Sequence, residues 1–176
     1  MRTAVVVYSL THNNHILAGD ILSRTGGTLF NIEEIGKRSK LTIFLDLLFN
    51  RTPRIRDYLH ISERFDHYVL IAPIWGGRIA TPLKSFLVKE KSNIKSYSFI
   101  TICGGGGAAQ NAKIEAELTR LCSIKPRKVA ELSLKDLNGG EAKGLLELRI
   151  DREQLKFFDD QITQFTQEIE NASTVA

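Results

Sequence analysis

With 176 residues, 43% of them apolar and 25% charged, the chain has the composition of a globular protein able to bury a sizeable core. Its net charge of +4 comes from 24 basic and 20 acidic residues. The basic residues are dispersed, without a dense stripe alternating with aromatics, and this leaves a nucleic-acid role without support. No stretch has the apolar length of a membrane span, and the run at the N-terminus is too short for a signal peptide. The two cysteines, Cys103 and Cys122, have neither metal-ligand spacing nor the look of a disulfide scaffold. The expectation is one domain over residues 1–176, in the cytoplasm, with reduced and buried thiols.

Residues 3–8 read as a central strand, because the near-continuous branched run Ala4 to Val7 suits a sheet covered on both faces. Ile16, Leu17, Ile21 and Leu22 predict a helix over 13–24, ended by Gly26-Gly27. A weaker strand follows at 28–35. Leu41, Phe44, Leu45 and Leu48 then mark a second helix, interrupted over Asn50 to Pro53, and 54–64 reads as a further short helix. Residues 67–74 predict another strand, with Asp66 at its lower edge. Ile79, Leu83, Phe86 and Leu87 give the next helix face, with Pro82 suited to its first turn. Residues 95–102 predict a fourth strand, Ile114, Leu118, Leu121 and Cys122 a helix, and 128–134 a fifth strand. Asp136 to Lys143 reads as a loop. Leu155, Phe158, Ile162, Phe165 and Ile169 form the stripe of a last helix, and Ala172 to Ala176 read as a frayed end. Strand and helix alternating five times predict an α/β fold: a parallel sheet with helices on both faces. Such sheets bind ligands at the carboxyl ends of their strands.

Three unusual loops fall at that edge. The first, Tyr8 to His15, holds hydroxyl donors on Ser9 and Thr11 and amide donors on Asn13 and Asn14, ahead of the free N–H groups that open a helix. Together with the helix dipole these form a neutral cradle for a phosphate dianion. The competing reading is an ordinary cap by Thr11 or Asn13. His12 lies within the cradle and is a candidate phosphate donor, while His15 reads as a helix-surface residue. The second loop, Pro73-Ile74-Trp75-Gly76-Gly77, offers an indole for stacking and glycines that let backbone approach a ring. The competing reading is an aromatic lid beside a turn. The third, Gly104-Gly105-Gly106-Gly107, leaves room for a flat ring and supplies amides to its heteroatoms, or is simply a mobile connection. A phosphorylated flat ligand satisfies all three, and this points to a flavin nucleotide. The phosphate loop GxxxxGK[ST], the dinucleotide fingerprint GxGxxG, the nucleophile elbow GxSxG and zinc-ligand spacing are all absent.

The first loop, YSLTHNN, resembles the YSxTGNT loop of the flavodoxin-like family: Ser9, Thr11 and Asn13 match, while His12 replaces glycine and Asn14 replaces threonine. The segment APIWGGRIATPLKSFL resembles a stretch of bacterial flavodoxin-like reductases through Pro73-Ile74-Trp75, the glycine turn beginning at Gly76, Pro82, Phe86 and Leu87. FITICGGGG resembles the family's glycine loop on the other flank of the ring. The resemblance runs from residue 3 to about 170. It implies a three-layer αβα sandwich with a five-stranded parallel sheet of order 2-1-3-4-5, binding FMN.

Two functions fit that resemblance. One is an NADPH- or NADH-dependent reductase, often a homodimer, passing electrons to a quinone-like or other small acceptor. The other is a one-electron carrier docking on a redox partner protein. Carriers of this family are usually strongly acidic, and this chain is mildly basic, so the balance leans to the reductase. A third reading, prompted by His12 and Asn14, is an interaction module of the same fold that has lost FMN. No acid–base constellation stands out, as expected where the flavin carries the chemistry.

Overall fold

The apolar run of β1 (Thr3–Val7) is fully buried, and its side chains divide by alternation between two cores. Ala4 and Val6 face one, with Leu83, Phe86, Leu87, Ile114 and Leu118; Val5 and Val7 face the other, with Leu17, Ile21, Phe158, Ile162 and Phe165. This division explains why the strand has no polar face. The computed structural model describes residues 1–36, 39–49, 51–56, 65–140 and 148–171.

The elements that follow are α1 (Asn13–Thr25), β2 (Thr28–Asn31), α2 (Lys40–Leu48), β3 (His67–Ile71), β4 (Ile74–Trp75), β5 (Arg78–Ile79), α3 (Thr81–Glu90), β6 (Tyr97–Cys103), α4 (Ala108–Cys122), β7 (Val129–Ser133), α5 (Leu134–Leu137), α6 (Arg152–Leu155), a 3-10 turn at Lys156–Phe158, and α7 (Asp159–Asn171). The main sheet is wholly parallel with order β2-β1-β3-β6-β7. Counted by its own strands this is the expected 2-1-3-4-5. Helices α1 and α7 cover one face and α3 and α4 the other. The architecture is the flavodoxin-like αβα sandwich. After β1 the chain steps outward to β2 and then crosses back to β3, so the strand order reverses between β1 and β3. At such a point the loops diverge and leave a crevice.

Several boundaries differ from expectation for local reasons. The strand predicted over 67–74 stops at Ile71, and Ile74-Trp75 instead pairs antiparallel with Arg78-Ile79. Gly76 and Gly77, at φ 56° and 74°, supply the two positive dihedrals of a type I′ hairpin turn. Ile79, expected on the helix face, therefore lies in this hairpin. The strand at 28–35 shortens to four residues because it is an exposed sheet edge. Beyond it, Glu34 and Ile55 form an antiparallel bridge. Of the helix expected over 54–64, residues 57–64 lie outside the described residues, as do 141–143 of the loop expected over Asp136–Lys143 and the frayed end at 172–176. Within the described part of that loop, Asp136 and Leu137 are helical. The last helix is divided into α6, the 3-10 turn and α7, and all three still bury the predicted stripe of Leu155, Phe158, Ile162, Phe165 and Ile169. None of the described helices is long and apolar enough to cross a membrane.

Candidate functional site

The three loops meet at the carboxyl edge of the sheet. Tyr8, at the end of β1, sets its ring edge-on to Trp75 in the β4–β5 hairpin, with centroids 5.8 Å apart. Asn14, at the start of α1, accepts a hydrogen bond from Ile102 N–H at 2.9 Å and so ties α1 to the end of β6. The first loop therefore touches the strand ends on which the other two loops are built.

Helix α1 opens without a side-chain cap. Its cap position is His12, in the left-handed region at φ 78°, and no side chain accepts from the first turn. The competing cap by Thr11 or Asn13 is thus absent. Among the described residues the N–H groups of Thr11, His12, Asn13 and Asn14 make no hydrogen bond. An uncapped helix start with free amides is an anion-binding geometry. Ser9 Oγ is buried beside it and has no partner among the described residues. A buried hydroxyl without a partner costs about 1–3 kcal/mol, so this oxygen is waiting for a group that no part of the described chain supplies.

The side chains of Asn13 and Asn14 are engaged within the fold. Both are buried. Asn13 donates through Nδ2 to Leu148 O at 2.8 Å and accepts at Oδ1 from Ile150 N–H at 3.1 Å. Asn14 is held to Ile102 through Oδ1 alone, so Asn13 braces the loop with its whole carboxamide while Asn14 braces it with its oxygen and keeps its Nδ2 donor, beside the backbone N–H groups. Thr11 is half-buried, and its carbonyl accepts from Arg149 Nη1 at 3.2 Å. The guanidinium thus stands at a loop that the sequence reading treats as neutral. His12 is exposed and its ring lies 5.4 Å from that of His15, centroid to centroid. Burial, and then His12, lower the pKa of His15 below the usual histidine value. Both imidazoles line the head of a groove of about 830 Å³ running between α1 and α6–α7. From that head, at the first loop, the groove runs along a helical face, whereas the buried unpartnered Ser9 Oγ lies at the strand end.

In the hairpin, Pro73 O accepts from Ala80 N–H at 3.0 Å, and Glu117 of α4 accepts from Ile79 N–H at 3.0 Å. Ile74 and Trp75 are half-buried against the α3–α4 core, so the indole is held by Tyr8 and by packing. Gly76 and Gly77 build the turn itself.

The glycine loop is also more constrained than its composition suggests. Gly104 is half-buried and Gly105, Gly106 and Gly107 are exposed. Cys103 Sγ donates to Gly105 O at 2.9 Å, as does Gln110 Nε2 at 3.2 Å. Glu131 of β7 lies beneath the loop. Its Oε2 accepts from Gly107 N–H at 3.2 Å, while its Oε1 is buried without a partner among the described residues. A Cβ on Gly106 would stand 2.4 Å from Glu131 Oε2, so a side chain there would displace the carboxylate from its bond to Gly107 N–H. Burial, and then Glu131, push the Cys103 thiol up to about 12. It is protonated at neutral pH and is no nucleophile.

Glu131 and Arg149 were not identified from sequence. Glu131 left a faint signal, an acid inside an otherwise apolar strand. Arg149 left none, since its partner Thr11 is 138 positions away.

No protein-family model and no curated protein sequence matches the chain. Solved structures do match in fold. A flavoprotein in complex with FMN from Lactobacillus acidophilus NCFM is 16% identical, with a TM-score of 0.64, over 80% of this chain and 99% of that one. A flavoprotein from Bacteroides eggerthii DSM 20697 is 14% identical, with a TM-score of 0.67, over 92% and 98%. Another from Bacteroides uniformis ATCC 8492 is 16% identical, with a TM-score of 0.64, over 83% and 96%. At these identities the likeness establishes a shared fold.

Proposed function

We propose that the chain binds FMN at the carboxyl edge of its sheet and acts as an NADPH- or NADH-dependent reductase of a quinone-like or other small acceptor. The observation that carries the reading is Ser9 Oγ, buried and, among the described residues, unpartnered, beside four N–H groups that make no bond there at the uncapped start of α1. A phosphate monoester satisfies such a donor set. The residues present fit the cofactor: Ser9, Thr11 and the amides of residues 11–14 for its phosphate, Trp75 and the hairpin for one side of its ring, and Gly104 to Gly107 for the other. Arg149 adds a positive charge at the phosphate end. Support also comes from the fold shared with a protein that binds FMN. The chemistry such a cofactor supplies is transfer of reducing equivalents from a nicotinamide to an acceptor, while the chain binds, orients and excludes water.

The test is a pair of affinities. FMN should bind the purified chain, and Ser9→Ala should weaken it about tenfold or more, as expected for a lost hydrogen bond to a charged group worth about 1.5–3 kcal/mol. Riboflavin, which has no phosphate, should bind wild type and variant alike. Equal FMN affinity in both proteins would refute the phosphate site. Anaerobic titration with NADPH and NADH then tests the reductase: loss of absorbance near about 450 nm supports it, and retention of full absorbance with both reductants removes it.

A further inference from the structure

On the α4 side of the hairpin the charges are out of balance. A depression of about 480 Å³ is lined by Leu48, Gly77, Arg78, Lys113, Glu117 and Arg120. Lys113, Glu117 and Arg120 follow one another at i, i+4 and i+7 on α4, a spacing that sets them in one row on one helix face. Arg78 joins them because β5 packs on α4 and Ile79 N–H is bonded to Glu117 Oε2. Three cations therefore surround one carboxylate, and that carboxylate already serves a backbone amide. Elsewhere many basic side chains are paired: Arg24 with Asp20 and Asp159, Arg56 with Glu33, Lys125 with Glu115, Lys128 with Glu168, and Lys156 with Glu153. Among the described residues Arg78, Lys113 and Arg120 form no ion pair.

Lys84 of α3 is buried, and burial lowers its pKa; Glu117 opposes this, while Arg120 and Arg78 lower it further. An anion in the depression would relieve that repulsion. Guanidinium groups grip phosphate through paired N–H donors and an ammonium acts as a point charge, so two arginines and a lysine match a diphosphate. The volume is that of a small-molecule site. Gly77 lines the depression while Trp75, two residues earlier, meets Tyr8, so one hairpin borders both this site and the strand-end crevice.

We propose that Arg78, Lys113 and Arg120 form a subsite for the diphosphate of a nucleotide. The anion site stands on its own geometry; only the identification of that nucleotide as the reductant rests on the FMN reading. ADP and pyrophosphate are titrated into the cofactor-free chain at low ionic strength, followed by calorimetry and by fluorescence of Trp75, the sole tryptophan. Saturable binding of both is expected, weakened severalfold in each of R78Q, K113Q and R120Q and lost in the triple variant. Affinity should also fall as salt rises. K156Q, on the opposite face of the sheet, should bind as wild type does. Absence of saturable binding to the wild type, or undiminished binding by the triple variant, overturns the proposal. Retention of wild type, but not the triple variant, on an acidic polypeptide without any binding of ADP also overturns it, in favour of an acidic protein partner. An FMN titration on the same samples keeps the two readings apart: loss of FMN binding with ADP binding intact refutes only the flavin site.

Discussion

His12 is held at φ 78°, where an L-residue pays for the approach of its Cβ to the following carbonyl, about 1–2 kcal/mol. Histidine tolerates this region better than most residues, but glycine adopts it freely. His12→Gly is expected to stabilise the chain by about 0.5–1 kcal/mol once the greater freedom of glycine in the unfolded chain is deducted. Thermal or urea unfolding measures it, and a destabilised variant would mean that the His12 ring contributes more than its backbone strain costs. Ser9 combines a cost to the fold with a gain for the ligand: its hydroxyl is buried and unmet in the described chain, so Ser9→Ala should raise the stability of the FMN-free chain by about 1–3 kcal/mol in urea unfolding while weakening the hold on phosphate. A residue that costs the fold stability and serves a ligand is the mark of a binding site.

At the scale of elements, the structure ties the first loop down through Asn13 and through the oxygen of Asn14. Asn13 fastens α1 to the segment before α6, and Asn14 fastens α1 to β6. Asn13→Ala would leave Leu148 O and the buried Ile150 N–H without partners, at about 2–3 kcal/mol. Chemical denaturation gives the total, and faster hydrogen exchange at Ile150 N–H identifies the cause; unchanged exchange there would show that another donor or acceptor replaces the carboxamide. The loop would loosen as well, so FMN affinity should fall in this variant through lost support. The hairpin follows the same logic. Gly76 and Gly77, which from sequence leave room for a ring, have dihedrals that the turn needs whether or not a ring is present.

For the whole molecule, His67 links stability to pH on the acid side. It is fully buried at the lower edge of the sheet, its Nδ1 2.8 Å from Ser96 Oγ and its Nε2 3.1 Å from Ser98 Oγ. Burial, and then Arg127, lower its pKa from 6.5 to about 4. The folded state keeps the ring neutral while the unfolded chain takes up a proton below about 6.5. Stability is therefore full above that pH and is lost as pH falls through about 4, by about 3 kcal/mol over the window. His67→Gln should flatten the pH dependence of urea unfolding between those limits; a slope equal to that of wild type would assign the acid sensitivity to other groups.

Local periodicity made most of the fold legible. The alternation at Ala4 to Val7 and the spacing of Phe158, Ile162 and Phe165 are properties of neighbouring residues, and with right-handed crossovers they leave few topologies. The chain order of strands and helices placed Ser9, Trp75 and Gly105 at one edge before any contact was known. The partners of Asn13, Asn14 and Gly107 were a different matter, because each lies on another element, between 24 and 137 positions away. Glu131, Arg149 and the cations of the depression between the hairpin and α4 likewise take their meaning from crossovers that bring distant segments together. The sequence by itself determined which segments form strands and helices and which loops share an edge, since short-range sterics and hydrophobic spacing decide those. Only the tertiary structure decided which polar groups are already satisfied and which are left for a ligand, since a hydrogen bond depends on what the whole fold places within about 3 Å.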